Sequence, residues 1–87
     1  MDRADNWWPS LWMAGQKIHA TRRILARNVR RLRKERNLSQ EELANAARLH
    51  QAEISKIESA KLSTGLDVLQ RLAKALGTRP ADLLDDK

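Results

Sequence analysis

Apolar side chains recur along this chain every three or four positions, in short bursts set apart by polar punctuation. Between residues 21 and 36 they fall at Ile24, Leu25, Val29 and Leu32, the spacing of one helical stripe. Asn37, which tolerates left-handed geometry, marks the end of that helix. Ser39 and Glu42 have capping-box spacing and predict a second helix, with Leu43, Ala44 and Ala47 on its buried side. The chain turns near residues 47–50 without glycine and resumes as a helix from about Gln51 to Glu58, burying Ile54 and Ile57. "SAKLSTG" reads as a loop. Thr64 and Asp67 repeat the capping-box pattern ahead of "LDVLQRLAKAL", whose expected stripe is Leu66, Leu69, Leu72, Ala73 and Leu76. Gly77 stops that helix, and Pro80 sits in the first turn of a short last one containing Leu83 and Leu84. No run of alternating β-branched residues occurs, so the fold class is all-α.

The helix from Gln51 raises a question that periodicity alone does not answer. Gln51 and Ser55 lie four apart, as do Ala52 and Lys56, so they share one face opposite Ile54 and Ile57. That face has little charge and no catalytic group. Taken alone, it suits an ordinary solvated helix as well as a recognition surface.

Charge changes the picture. The 87 residues carry a net charge of +6 at pH 7, which favours a polyanionic partner. Residues 22–36, "RRILARNVRRLRKER", hold eight basic residues against the single acid Glu35, so the rest of the chain is close to neutral. A solvated basic helix face and a phosphate-meeting face are compatible descriptions of that run. The chain has no cysteine, which excludes disulfides and thiolate metal sites; His19 and His50 lack metal-ligand spacing, so no metal or other cofactor is expected. The apolar run "LWMA" is the longest without interruption, and an acidic start ("MDRAD") fits no secretory signal. The expected compartment is the cytoplasm, in association with the nucleoid, with no membrane partner.

These features converge on a known pattern. "VRRLRKERNLSQEELANAARLHQAEISKIESAKLSTGLDVLQRLAKALGTRPADLL", positions 29–84, resembles the lambda-repressor-like helix-turn-helix family, also called the Cro/C1 or XRE type. Its most specific parts are "LSQEELA", then "ISKIE", then "LQRLAKALG" and a closing "LL", each weak alone and strong in this order. The resemblance implies a five-helix DNA-binding domain over residues 21–87, with residues 1–20 as an extra N-terminal helical segment. It implies that the second helix of the motif, residues 51–58, enters the major groove while the first crosses the phosphate backbone. A groove-entering face needs hydrogen-bonding tips and little bulk, because base edges offer donors and acceptors rather than net charge.

Carried over position by position, the implied base readers are His50, Gln51, Ala52, Ser55 and Lys56. Gln can bond adenine bidentately, Lys can approach guanine O6 and N7, and Ala can touch a thymine methyl. Ser39, Gln40, Lys61, Arg22 and Arg23 are the implied phosphate contacts, which position a protein without carrying sequence information. Arg33 and Glu58 look like the family's buried ion pair. The implied partner is double-stranded DNA, bound as a homodimer on a near-palindromic operator.

The chain departs from the family's pattern at four places. Ala60 stands where glycine is usual just past the recognition helix, so that turn must avoid positive φ or accept strain. Thr64 replaces a common loop proline, and Arg79 a capping serine. Glu53 puts a carboxylate close to where phosphate is expected; at the third helical position it is expected to bond back to the backbone of His50, with cytosine readout as the alternative.

All three tryptophans lie in "NWWPSLW", ahead of the recognisable domain. From Leu11 onward, positions 11, 15, 18, 22, 25, 29 and 32 alternate steps of four and three, so a continuous helix would carry its apolar stripe past the body of the fold. Trp7, Trp8, Leu11, Trp12 and Ile18 are therefore expected to contact a second subunit or another protein. A fold-back onto the chain's own helices, with a break at Gly15, and an arm that carries Arg22 and Arg23 to DNA are alternatives the residues leave open.

The leading function is an autoregulating repressor or controller. An antitoxin whose tryptophan-bearing segment binds a protein partner is the competing class. A membrane-surface peptide fits the tryptophans and arginines but not the well-patterned C-terminal half. No phosphate-cradling glycine loop, carboxylate pair beside a histidine or nucleophile constellation suggests an enzyme, and no catalytic residue is expected.

Overall fold

In the computed structural model of the protein, residues 14–86 are described, with side chains from residue 20 onward. Five helices follow one another among them: α1 (Ala14–Glu35), α2 (Gln40–Ala47), α3 (Gln51–Glu58), α4 (Leu66–Ala75) and α5 (Pro80–Leu83). The described residues contain no strand. Helix α1 runs unbroken through Gly15 and past residue 20. Trp7, Trp8, Leu11 and Trp12 lie outside the described residues, as does the side chain of Ile18.

Helix α3 packs on α1 and α2, α4 packs on the other side of α2, and α5 closes the far end by packing on α1 and α4. Leu25, Val29, Leu32, Leu43, Ile54, Ile57, Leu72, Leu76 and Leu83 form one continuous core. Among the described residues one polar side chain is buried, Asn28, within the stripe of α1. Its Nδ2 donates to the carbonyl oxygens of Leu83 and Asp85, each at 2.9 Å. A buried amide needs such partners, and here they tie α1 to carbonyls at and beyond the end of α5.

Helix starts and stops follow the chain's local chemistry. Ser39 Oγ accepts from the Glu42 N–H at 3.0 Å while Glu42 Oε1 accepts from the Ser39 N–H at 2.8 Å, a complete capping box. Helices α1 to α4 all end the same way, with a residue at positive φ and a pair of bonds back to the last turn. After α1, Leu38 N–H donates to the Arg33 carbonyl at 3.0 Å and Asn37 N–H to that of Lys34 at 3.0 Å; matching pairs follow α2, α3 and α4. These are Schellman closures. The left-handed residues are Asn37 (φ 56), Arg48 (φ 59), Ala60 (φ 61) and Gly77 (φ 68). Ala60 thus takes the strained alternative, and Arg48 supplies the turn without glycine between α2 and α3.

Two expectations are corrected. Thr64 does not cap α4: the helix starts one residue later than the Thr64–Asp67 pattern requires, Gly65 is its N-cap, and Thr64 Oγ1 is buried without a hydrogen-bond partner. Leu66 is not part of the core. It has the right helical phase but lies in the first turn of α4, and 82% of it is exposed.

Candidate nucleic-acid interface

Helix α3 is held from behind. Ile54 and Ile57 face the core and are almost wholly buried. Glu58, at its last turn, accepts from Arg33 Nε at 2.6 Å and Arg33 Nη2 at 3.0 Å, and from Gln40 Nε2 at 3.2 Å. Side-chain exposure is only 12% for Arg33 and 6% for Glu58, so solvent screens this pair little. Arg33 Nη1 also donates to the Leu38 carbonyl at 2.9 Å. The carboxylate at 2.6 Å raises the Arg33 pKa above its usual value, chiefly through the hydrogen bonds to Glu58. Glu58 therefore joins α1, α2 and the end of α3, through a fork-like, charge-assisted pair with Arg33 and a further bond from Gln40.

With its rear fixed, α3 turns Gln51, Ala52, Ser55 and Lys56 to solvent, and His50 is exposed at the N-cap. Glu53 is half-buried, and its Oε1 accepts from the His50 N–H at 2.9 Å. That bond occupies one carboxylate oxygen at the helix start, where negative charge meets the positive end of the helix dipole. Ser59 Oγ donates to the Lys56 carbonyl at 3.1 Å, and Lys61 is exposed just beyond.

The flanking polar groups divide into two sets. A shallow depression brings together Arg30, Arg33, Gln40, Ser55, Glu58 and Ser59, joining the outward face of α3 to the start of α2 and one turn of α1. It continues along α1 as a basic groove of about 550 Å³ that includes Arg23, Arg27, Arg30, Arg31 and Lys34. Arg27 is paired with Asp86 and Arg31 with Glu35, whereas the side chains of Arg23, Arg30 and Lys34 have no hydrogen-bond or ion-pair partner among the described residues. The structure brings Arg23 to this groove but not Arg22, which is half-buried at an apolar pocket on the opposite side of α1. Arg30 was not singled out by sequence reasoning, since one arginine in a run of eight basic residues carries no mark of its own. Its position one turn before Arg33 on α1 is the signal that could have found it.

Among the described residues there is no group of three metal-binding side chains, and no helix is long and apolar enough to cross a membrane. The arrangement can donate and accept hydrogen bonds along α3 and attract phosphates on both sides of it.

Comparison with known proteins places this geometry in context. A family described as helix-turn-helix matches residues 29–83. The chain is 42% identical over 65 residues to the control protein C.BamHI of Bacillus amyloliquefaciens, covering 74% of this chain and 80% of that one. It is 46% identical over 61 residues to the control protein C.SmaI of Serratia marcescens, covering 70% and 73%. Among solved structures, the restriction-modification controller protein C.AhdI from Aeromonas hydrophila superposes with a TM-score of 0.71 at 30% identity, over 74% of this chain and 97% of that one. The hypothetical transcription factor NHTF from Neisseria gives a TM-score of 0.73 at 34% identity, over 75% of each chain.

Proposed function

Because the chain belongs to the helix-turn-helix family, we propose that it is a sequence-specific regulator of transcription that binds double-stranded DNA as a homodimer, with the role of an autoregulating controller. The observation that carries this function is the outward face of α3. Four side chains with small or hydrogen-bonding tips are presented on a helix whose rear is buried and whose end is anchored by Arg33, Glu58 and Gln40. Gln51 and Lys56 read base edges, Ala52 and Ser55 give close approach, and His50 enters at the rim. Gln40 has a second amide hydrogen beyond the one given to Glu58, and it donates that hydrogen to a phosphate. Ser39, Lys61, Arg23 and Arg30 complete the phosphate contacts. Two curated relatives named as control proteins favour the controller role over the antitoxin.

A homodimer sets two α3 helices about 34–36 Å apart, so the operator is a near-palindrome with half-site centres about one helical turn from each other. Selection of bound sequences from a random DNA library at about 0.15 M salt tests this directly, because phosphate contacts make affinity fall steeply with added ions. The expected product is a near-palindromic consensus protected in a footprint. A Gln51→Ala/Lys56→Ala variant that protects the same site at the same concentration would sink the assignment.

A further inference from the structure

On the side of α1 away from the basic groove lies an apolar pocket of about 280 Å³, formed by Thr21, Arg22, Leu25, Leu62, Ser63, Thr64, Leu66, Leu69 and Leu84. At about 100° per residue, the α1 positions that line it point opposite to those lining the basic groove. Its rim includes the two large apolar side chains that are exposed among the described residues, Leu66 and Leu84. Its lining also holds both buried side-chain polar atoms that lack a partner there, Arg22 Nε and Thr64 Oγ1. An apolar wall with an unsatisfied donor and an unsatisfied acceptor is an incomplete piece of core. The volume falls just below the ~300–1,000 Å³ of pockets that take drug-sized ligands, on the scale of one large side chain.

We propose that this pocket is filled in cis by an indole of the Trp7–Trp8 pair. Chemistry and reach support the same occupant. An indole is an apolar plate with a single N–H donor, which Thr64 Oγ1 can accept, and its face suits the Arg22 guanidinium beside it. Thr21 to Leu25 lie about 10–17 Å along the helix from Ala14 at 1.5 Å per residue. Trp7 and Trp8, six or seven residues ahead of Ala14, span about 20–23 Å when extended, enough to double back to that level. Trp12, two residues ahead, has a backbone reach of about 7 Å and falls short. A residue that precedes proline, as Trp8 precedes Pro9, disfavours helical backbone, which suits such an excursion. A short tether also gives the chain's own segment an effective concentration in the millimolar range, which favours it over the same segment of a second copy.

Tryptophan fluorescence of the full chain tests the assignment. Emission is expected to be blue-shifted and shielded from acrylamide at all protein concentrations. Leu66→Lys, at a site too exposed to support the fold, should move emission to the red and open it to quencher, with the helical circular dichroism unchanged. Thr64→Leu, which fills the pocket floor, should do the same. Trp7→Phe and Trp8→Phe should differ, with only one of them removing the shielded component. Water-like emission in the unmodified chain, or emission unmoved by both pocket variants, would overturn the proposal. So would a blue shift that appears only as the solution mass doubles, since the occupant would then be a second copy.

Discussion

The outward face of α3 and the pocket beside Leu66 are both exposed surfaces of a small domain, yet they are built differently. Behind α3 the buried polar groups find partners: Arg33, Gln40 and Glu58 satisfy one another, Glu53 bonds back to His50, and only short polar tips are left for a ligand. Around the pocket the position is reversed. Apolar side chains are exposed, and two buried polar atoms have no partner. A surface made to exchange partners must be stable without one, because regulation requires the free state to persist. A surface that is unsatisfied alone calls for a cover that stays. The difference separates a binding face from an unfinished core, although both lie close to α1.

The largest effect should come from Glu58→Ala. The substitution leaves the nearly buried Arg33 guanidinium uncompensated, and removing one partner of such a pair costs ~3–5 kcal/mol. Against a total stability of ~5–15 kcal/mol for a domain, that is a large loss, and the urea midpoint should fall accordingly. An unchanged midpoint would mean that α3 is held by Ile54 and Ile57 alone, and the contrast between the two surfaces would lose its physical basis.

Next in size is the reading face itself. Gln51→Ala or Lys56→Ala should cost ~1–3 kcal/mol of discrimination, confined to one base position in each half-site, with the melting temperature unchanged. Arg30→Ala should instead weaken binding to all sequences alike and flatten the salt dependence, as expected for a phosphate contact. Competition titrations against single-base operator variants separate the two patterns. If Lys56→Ala behaves like Arg30→Ala, the base-reading set must shrink to its N-terminal half.

A smaller change should act in the opposite direction. Ala60 ends α3 at φ 61, a conformation that disfavours every residue with a Cβ. Ala60→Gly should therefore stabilise the domain by ~1 kcal/mol, a rise of about 4–8 °C in melting temperature for a chain of this size. The closing bonds from Ala60 N–H to Ile57 and Lys61 N–H to Lys56 should persist, so DNA affinity should hold.

These positions also show what local sequence can and cannot convey. Helix existence, the Ser39–Glu42 box, the Asn37 stop and the burial of Ile54 and Ile57 all follow from periodicity and capping chemistry within one turn, and they were legible. Ala60 was legible as a conflict, though the backbone's choice of strain was not. Thr64 and Asp67 fit a capping pattern in letters while the helix begins at Gly65, because a three-residue spacing does not fix the register of its own start. Leu66 shares the phase of its stripe, but burial depends on whether another element lies above it, and that is a tertiary fact. Asn28 carries no mark in the sequence, because its partners are carbonyls more than fifty residues away. The Arg33–Glu58 pair was visible only through family resemblance, and Gln40's bond to Glu58 was not visible at all. Which of eight clustered basic residues face α3 depends on helix docking, so Arg30 stayed hidden and Arg22 was grouped with Arg23.

The smallest predicted effect uses pH to sharpen the contrast. At the start of α5, Asp82 Oδ2 accepts from Thr78 Oγ1 at 2.8 Å and the Arg79 N–H at 3.1 Å, while Oδ1 accepts from Arg79 Nη2 at 3.2 Å. The Arg79 side-chain bonds, and then those from Thr78 and the backbone, lower the Asp82 pKa from 3.8 to about 2. A carboxylate depressed in the folded state stabilises it fully above the unfolded value and loses that contribution as pH falls through the folded one. The chain should thus exceed Asp82→Asn in melting temperature above pH ~4, and the gap should close by pH ~2. The site is solvent-exposed, so the gap should be small and should narrow further in salt. The Leu66 pocket has no carboxylate in its lining, so tryptophan shielding should not follow this titration. A shielding signal that tracks the Asp82 transition would instead show that the pocket and the α5 cap open together, and the two surfaces could no longer be treated as independent.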